Sequence, residues 1–344
     1  MTAGPEAVAH RAVPVRGAQR LDGEYVLPVR WSGRPGHELE ELAAYLRGLS
    51  GQLHVTVVDG SAPEEFARHA AALGGTGVRH VPPEPWPGRN RKVAGVVTGV
   101  RAARSEFVVV ADDDVRYGPG ELRDVLEALQ DADVVVPHNV FAPVPWHARW
   151  DTARVLLNRA TWGDSPGTLG VRRSLFTAMG GYDGDVLYEN LQLLRTARAA
   201  GGRVVSAPWV YVRRLPPTAA HFRSQRVRQA YDDFAQPARL LVEASWLPLL
   251  VLGALRPKLF GLPAASLLAG SVAVAEAGRR RARGTRHFPA DGALWAPLWV
   301  LERSVCVWLA IGARARGGVR YCGERLPRAG RRPRPRVTGW REGS

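Results

Sequence analysis

The sequence predicts an α/β domain built on a mostly parallel sheet, followed by apolar C-terminal helices. Three observations predict it. Between residues 25 and 138, short β-branched runs alternate with stretches whose leucines and valines recur at helical spacing. Two of the β-branched runs end on carboxylates, Asp59 and Asp112. Beyond residue 238, three long apolar stretches replace the mixed pattern.

The elements follow in order. "YVLPVRW" (Tyr25–Trp31) reads as a strand, with Pro28 marking its end or a sheet edge. "ELEELAAYLRGL" carries Leu39, Leu42, Leu46 and Leu49 at helical spacing. "HVTVVDG" is a short strand ending on Asp59 and Gly60, and "APEEFARHAAALGG" is a helix with a glycine stop. "VRHVPP" is a third strand. "RKVAGVVTGVRAA" is a helix with Lys92 near its start, and "EFVVVA" is the strand that leads into three aspartates. "GELRDVLEALQDA" sets Leu122, Val125, Leu126 and Leu129 on one helix face, and "DVVVPH" is another strand. Strands alternating with helices give a parallel sheet, and such sheets bind ligands beyond the carboxyl ends of their strands. No internal repeat is visible.

Composition narrows the class. The 344-residue chain is 46% hydrophobic and carries a formal net charge of +15. Its basic residues are almost all arginine, lysine occurring only at Lys92 and Lys258. A basic balance suits nucleic acid, anionic lipid or phosphorylated ligands. The arginines are spread along the chain without a nucleic-acid motif, so no nucleic-acid partner is expected. Cys306 and Cys322 are too few for a disulfide framework and fit a reducing compartment. Residues 1–23 are Ala/Pro/Arg-rich without the apolar core of a secretory signal, and are expected to be unstructured. "RLLVEASWLPLLVLGAL", "LFGLPAASLLAGSVAVAEAG" and "ALWAPLWVLERSVCVWLAIGA" read as membrane-directed helices. Two spans are expected, about residues 239–255 and 259–278, joined by a tight "RPK" turn. "RRRARGTR" would return to the cytoplasm. Glu302 and Arg303 at the centre of the third stretch are costly in a bilayer core, which places that stretch at the interface. The expected divisions are an unstructured 1–23, a catalytic domain 24–238, membrane helices and an interfacial segment 239–322, and a basic unstructured tail 323–344.

The chemistry centres on "VVVADDDV". In an extended segment residues i and i+2 share a side, so Asp112 and Asp114 face one ligand while Asp113 faces elsewhere. Two converging carboxylates suit Mg²⁺ or Mn²⁺ together with diphosphate oxygens. The triplet alone also reads as an acidic turn opening a helix. Taken singly, Asp59–Gly60 reads as a turn, Lys92 as a helix-start residue, and Gly180 and Gly181 as a helix C-cap.

In register, these segments resemble family 2 glycosyltransferases, whose nucleotide-sugar-binding domain has the GT-A fold. "VLPVRWSG" is similar to the family's opening strand, and "VVDGS" to the strand whose Asp contacts the nucleobase, which maps onto Asp59. "GRNRKVAGVVTGVRAA" resembles the helix whose Lys lies near the nucleotide, mapping onto Lys92. "VVVADDDV" resembles the metal motif, mapping onto Asp112 and Asp114, with Asp113 on the donor. "GTLGVRRSLFTAMGGYD" resembles the acceptor-side segment, and "YENLQLLRTARAAGGRV" the helix that carries the catalytic carboxylate. "QRVRQ" resembles Q-x-x-R-W, which places Gln225, Arg226 and Arg228 near acceptor or diphosphate. The resemblance covers about residues 24–235 and leans toward lipid glycosyltransferases of the ceramide glucosyltransferase kind. It implies a metal-dependent, inverting enzyme at the cell membrane, multi-pass, with a cytoplasmic catalytic domain. Its donor is a nucleotide-diphosphate sugar and its acceptor a lipid hydroxyl.

Two positions depart from the pattern. The family's Glu-Asp is Glu189-Asn190 here, and an amide is no base. The Trp of Q-x-x-R-W is Gln229, which disfavours stacking on a sugar chain and hence processive synthesis. Glu189 is the nearest substitute base, with Asp183 and Asp164 next, and Asp185 reads as the N-cap of its helix. The alternative is a non-catalytic binding or scaffold protein on a decayed transferase fold, which Asn190 favours.

Overall fold

The computed structural model describes residues 20–163, 166–321 and 323–332. The expected unstructured N-terminus up to residue 19, Asp164, Cys322 and the tail beyond residue 332 lie outside the described residues.

The first half alternates as the pattern predicts: β1 (Glu24–Val29), α1 (Gly36–Ser50), β2 (His54–Asp59), α2 (Pro63–Leu73), β3 (Arg79–Val81), α3 (Arg91–Ala102), β4 (Phe107–Ala111), β5 (Val115–Arg116), α4 (Pro119–Ala128) and β6 (Val134–Phe141). The second half adds α5 (Trp146–Ala160), β7 (Thr168–Arg172), α6 (Arg173–Ala178), α7 (Glu189–Ala199), β8 (Val204–Arg214), α8 (Ala219–Ser224) and α9 (Arg226–Tyr231). Then come α10 (Pro237–Leu255), α11 (Pro257–Arg280), α12 (Ala296–Ala315), β9 (Val319–Tyr321) and β10 (Glu324–Leu326).

Eight strands form one sheet in the order β3-β2-β1-β4-β7-β6-β8-β5. The β3-β2-β1-β4 half is parallel, as is β6 with β8, whereas β7 and β5 run antiparallel to their neighbours. The strands alternate buried residues between two cores, because both faces are covered by helices. Tyr25, Leu27, Val109 and Ala111 face Leu39, Leu42, Leu46 and Leu49 of α1 and Leu122 and Val125 of α4. Val26, Val108 and Val110 face Val93, Val97 and Val100 of α3, with Phe176 and Leu193 of α6 and α7.

Pro28 sits in an interior strand, not at an edge. The β1–β4 pairing ends at Val26, so Pro28 lies past it and needs no donor on that side. Helix α3 crosses β1 closely there. A Cβ on Gly95 would meet Pro28 at 2.8 Å, and one on Gly99 would meet Val26 at 2.2 Å.

Helices α10 and α11 are joined at Arg256, so the expected tight turn is present and both helices extend beyond the expected spans. Three segments, Pro237–Leu255, Pro257–Arg286 and Gly292–Ala315, are long and apolar enough to cross a membrane. The reason for setting the third at an interface does not hold, since neither of its central charges lacks a protein partner. Arg303 is buried against Asp233 (2.9 Å) and Glu243 (3.7 Å), and Glu302 lies 3.6 Å from Arg226.

The tail expected to be unstructured from residue 323 is in part built into the domain. Val319–Tyr321 and Glu324–Leu326 pair as an antiparallel hairpin. The amides of Leu187 and Tyr188 then donate to the carbonyls of Arg328 and Ala329. Leu326 and Ala329 are buried. An Arg/Pro-rich composition hid these few apolar anchors.

Candidate active site

The three aspartates stand where the parallel half of the sheet opens, immediately after β4. The chain there is a turn, with Val115 N donating to Asp112 O at 3.1 Å. The side alternation of a strand therefore does not apply. The expectation that Asp113 faces away is corrected: Asp112, Asp113 and Asp114 line one cleft of about 570 Å³. Asp112 N donates to Gly167 O (2.7 Å), and a Cβ on Gly167 would lie 2.6 Å from Asp112 Oδ2. Glycine at 167 is what lets that strand approach the carboxylate.

Each aspartate meets a cation. Lys92 Nζ lies 2.5 Å from Asp112 Oδ1, Arg34 lies 2.7 Å from Asp113 and Arg214 Nε lies 2.9 Å from Asp114. Asp113 also accepts from Trp31 Nε1 (2.5 Å), and the Arg34 guanidinium sits 4.2 Å from the Trp31 ring centre. Burial raises the Asp114 carboxyl. Arg214 opposes that shift and the charges of Asp112 and Asp113 add to it, leaving the pKa at about 6. Its Oδ1 is buried and has no hydrogen-bond partner among the described residues. An unsatisfied oxygen that feels the charges of two further carboxylates is an environment that a divalent cation would relieve. Among the described residues no three His, Cys, Asp or Glu side chains close a full coordination cage. A cation held by Asp112 and Asp114 would thus take its remaining oxygens from ligand and water, as Mg²⁺ and Mn²⁺ do.

Lys92 ties the triad to α7. Its Nζ also lies 2.6 Å from Glu189 Oε1. Burial disfavours the lysine charge, but Asp112 and Glu189 outweigh it and hold its pKa well above the usual value. The start of α3 is fixed by Asn90, whose side chain accepts from Lys92 N (3.2 Å) and donates to Val186 O (2.9 Å). Gly88, at φ +112, passes so close to Gly184 that a Cβ would fall 2.2 Å from its carbonyl carbon. The loops before α3 and α7 are thereby locked together.

Glu189 is the first residue of α7 and is nearly buried. The helix is capped by Tyr188 without a side-chain bond, so Asp185 is not its N-cap; Asp185 pairs with Arg89 at 2.9 Å instead. Asn190 Nδ2 donates to Pro166 O at 2.8 Å, a bond that an ionised Asp could not make. Asp183 is paired with Arg331 at 3.1 Å.

The remaining expected residues divide. Gln225 and Arg228 line the cleft. Arg226 does not; it turns inward to Asp151 (3.4 Å) and Glu302 (3.6 Å), joining the catalytic domain to α12. Asp59 is fully buried, and its neighbours Val58 and Gly60 line the cleft. Its carboxylate accepts from Ser61 N (2.9 Å) and contacts His69 Nδ1 (2.7 Å) and His80 Nε2 (3.0 Å). Burial favours its neutral form, but the bonds to His80, Ser61 and His69 prevail and hold it well below the carboxylate range. Gly180 and Gly181 follow α6 at φ +71 and +78, which is the C-cap geometry, and a Cβ on Gly181 would strike Trp86 at 2.7 Å.

Sequence reasoning missed Trp31, Arg34, Arg214, Arg320 and Tyr321, all of which line the cleft. Arg214 had a legible signal, an arginine closing a strand before Pro216 and Pro217. Arg320 and Tyr321 had none, because they return to the cleft from beyond the apolar helices. Tyr321 lies under the Arg228 guanidinium at 5.0 Å.

The profile of "Glycosyltransferase like family 2" matches residues 39–232, more than half of the chain. The chain belongs to this family. The mostly parallel, curled sheet is its GT-A fold, and the three aspartates lie within the matched stretch. The structure is similar to a mannosyltransferase from Pyrobaculum calidifontis, solved with GDP-mannose and Mn²⁺. That similarity has a TM-score of 0.51 at 20% identity, covering 84% of this chain and 88% of that one. It is also similar to glucosyl-3-phosphoglycerate synthase from Mycobacterium tuberculosis, at TM-score 0.40 and 15% identity, over 58% of this chain and 74% of that one. No curated protein matches the sequence. Family 2 membership makes the chain a glycosyltransferase by class.

Proposed function

We propose that this family 2 glycosyltransferase moves a sugar from a nucleotide-diphosphate donor to a lipid hydroxyl, with a divalent cation and with inversion. One observation carries the reading: Lys92 joins the Asp112 carboxylate to Glu189 within 2.6 Å, beside an Asp114 oxygen that lacks a partner. Asp112 and Asp114 would hold the cation, which supplies charge to bind the diphosphate and offset the leaving group. The Trp31–Arg34–Asp113 unit forms a wall for the donor. Asp59, held by two histidines, sets the turn through Gly60 that borders it. Gln225 and Arg228 border the acceptor and diphosphate side.

Glu189 is the proton acceptor in this reading. In-line attack needs the acceptor hydroxyl proton removed by a carboxylate near the sugar, and Glu189 is the carboxylate that Lys92 ties to Asp112. Residues 24–238 form the catalytic domain. Helices α10–α12 bring it to a membrane on the cytoplasmic side, which is why the acceptor is taken to be a lipid of the ceramide glucosyltransferase kind. Mg²⁺ and Mn²⁺ both fit a two-carboxylate site.

The test is transfer from radiolabelled UDP- and GDP-sugars to extracted lipids by the full chain, with and without chelator. Chelation should abolish transfer. Glu189→Gln should lower it on the order of a hundredfold or more, with metal-dependent donor binding kept. Full transfer by Glu189→Gln would move the proton elsewhere and remove this assignment.

A further inference from the structure

The three apolar helices pass the length test for membrane spans, but each is anchored to the rest of the protein over part of that length. Helix α12 rests on the catalytic domain from end to end. Trp299 and Val300 pack in one cluster with Leu156 of α5 and Tyr211 of β8, while Val307 and Ala310 pack with Tyr231 of α9 and Leu187. Its central polar residues Arg303 and Ser304 face inward and are buried, and Glu302 is half-buried. Its exposed large apolar residues are Leu298, Leu301, Val305, Trp308 and Leu309, a stripe at helical spacing, with exposed Arg314 only in the last turn. The usual amphipathic order is inverted: the polar face meets protein and the apolar face meets solvent. Were α12 to cross a bilayer, the arginine-bearing α5 and α9 would have to enter it as well.

The α10–α11 hairpin is tethered at both roots. Arg239 and Glu243 are buried with Asp233 and Arg303, and Trp308 Nε1 donates to Ala244 O at 3.1 Å. On α11, Ser271, Ala275 and Gly278 are buried, and a Cβ on Gly278 would lie 1.9 Å from Leu156 O. Trp246 packs edge-on against Trp299, and Leu267 and Leu268 join the same cluster, so the arms free of the domain are residues 247–255 and 257–266. At 1.5 Å per residue they reach roughly 14–15 Å, against the ~30 Å of a hydrocarbon core. Their tip carries Arg256 and Lys258, which a buried tip would strand in hydrocarbon.

We propose that α10, α11 and α12 form a single apolar seat that lies in one leaflet of a bilayer, and that the chain does not cross it. The seat joins Leu255, Leu259 and Leu262 (69%, 69% and 80% exposed) to the α12 stripe. Exposed Trp308 and the tip cations Arg256 and Lys258 supply the interfacial anchors, an aromatic ring and stems that reach back to headgroups. The chain's formal charge of +15 selects an anionic surface. The inference rests on the membrane reading above and replaces its multi-pass form.

The experiment uses the purified full chain and preformed vesicles of phosphatidylcholine with phosphatidylglycerol. The chain should bind from outside, more tightly as phosphatidylglycerol rises. Leu262→Glu and Leu301→Glu, both on exposed positions, should each weaken vesicle binding on the order of tenfold. Melting temperature and metal-dependent nucleotide binding should be unchanged. In a Cys322→Ser background, Lys258→Cys should react with an impermeant maleimide added outside. Labelling only from the lumen would overturn the single-leaflet seat in favour of spanning. Nucleotide binding with no vesicle binding would overturn the seat and leave the donor chemistry standing. Vesicle binding without nucleotide binding would support the seat and remove the proposed reaction.

Discussion

Charge is gathered in two places, and they are built differently. In the seam beneath α10 and α12, Asp233 and Glu243 face Arg239 and Arg303 at 2.8–3.7 Å, and all four are at least 95% buried. Two carboxyl groups meet two guanidinium groups, so the charged groups match in number. In the cleft, Asp112, Asp113 and Asp114 meet Lys92, Arg34 and Arg214, but these side chains keep between 16% and 39% of their surface. Arg30, Arg91, Arg228 and Arg320 line the same cleft, and among the described residues none of them meets a carboxylate in an ion pair. A buried, balanced cluster holds protein to protein. A half-open cluster with cations in excess is arranged for an anion that comes from outside.

The sharpest way to separate the two is to neutralise one member of each. Asp112→Asn or Asp114→Asn should lower sugar transfer about a thousandfold or more, the equivalent of roughly 4 kcal/mol in the barrier. The melting temperature should hold or rise, because three adjacent carboxylates repel and the mutation relieves that repulsion. If either variant instead lost stability in step with activity, the cleft would be a structural cluster like the seam.

Arg303→Met is the converse. It leaves Asp233 and Glu243 with one cation between them in a buried site, which costs about 3–5 kcal/mol. Thermal unfolding in detergent should show that loss, while the fraction still folded keeps its KM for donor. Adding Glu243→Gln should recover part of the stability, since the remaining charges balance again. A change in KM with unchanged stability would place Arg303 in substrate binding and erase the distinction.

The two regions were also unequally legible. The alternation of β1 through β6 could be read because short apolar, β-branched runs stand between stretches of helix-spaced leucines and valines, and the triad could be read because it falls in register with the other segments of the family pattern. The seam could not. Glu302 and Arg303 looked like costs in an apolar helix, because a sequence shows a charge but not its partner some seventy residues away. Arg226 was misplaced for the same reason: its spacing from Gln225 fits the motif, yet its guanidinium finds Asp151 and Glu302. The hairpin that brings Arg320 and Tyr321 to the cleft was invisible, since two three-residue strands in an arginine-rich tail carry almost no periodic signal.

The smallest expected effect bears on the one position where the family pattern fails. Asn190 could mark a lost base, or it could be a residue with a different task. Its Nδ2 donates to Pro166 O at 2.8 Å, next to Gly167, whose carbonyl in turn accepts from Asp112 N. The amide thus braces the strand edge that positions the triad, one residue from Glu189. A carboxylate at 190 has no proton to give Pro166 O and would sit against a carbonyl oxygen. Asn190→Asp should therefore destabilise the protein by about 1–2 kcal/mol at neutral pH, a fall of a few degrees in melting temperature. The loss should shrink in mild acid, where a protonated Asp can donate again. Transfer should fall slightly or stay level. Should Asn190→Asp instead raise transfer many-fold from a near-silent parent, Glu189 would not be the base, and the brace would be what remains after the base was lost.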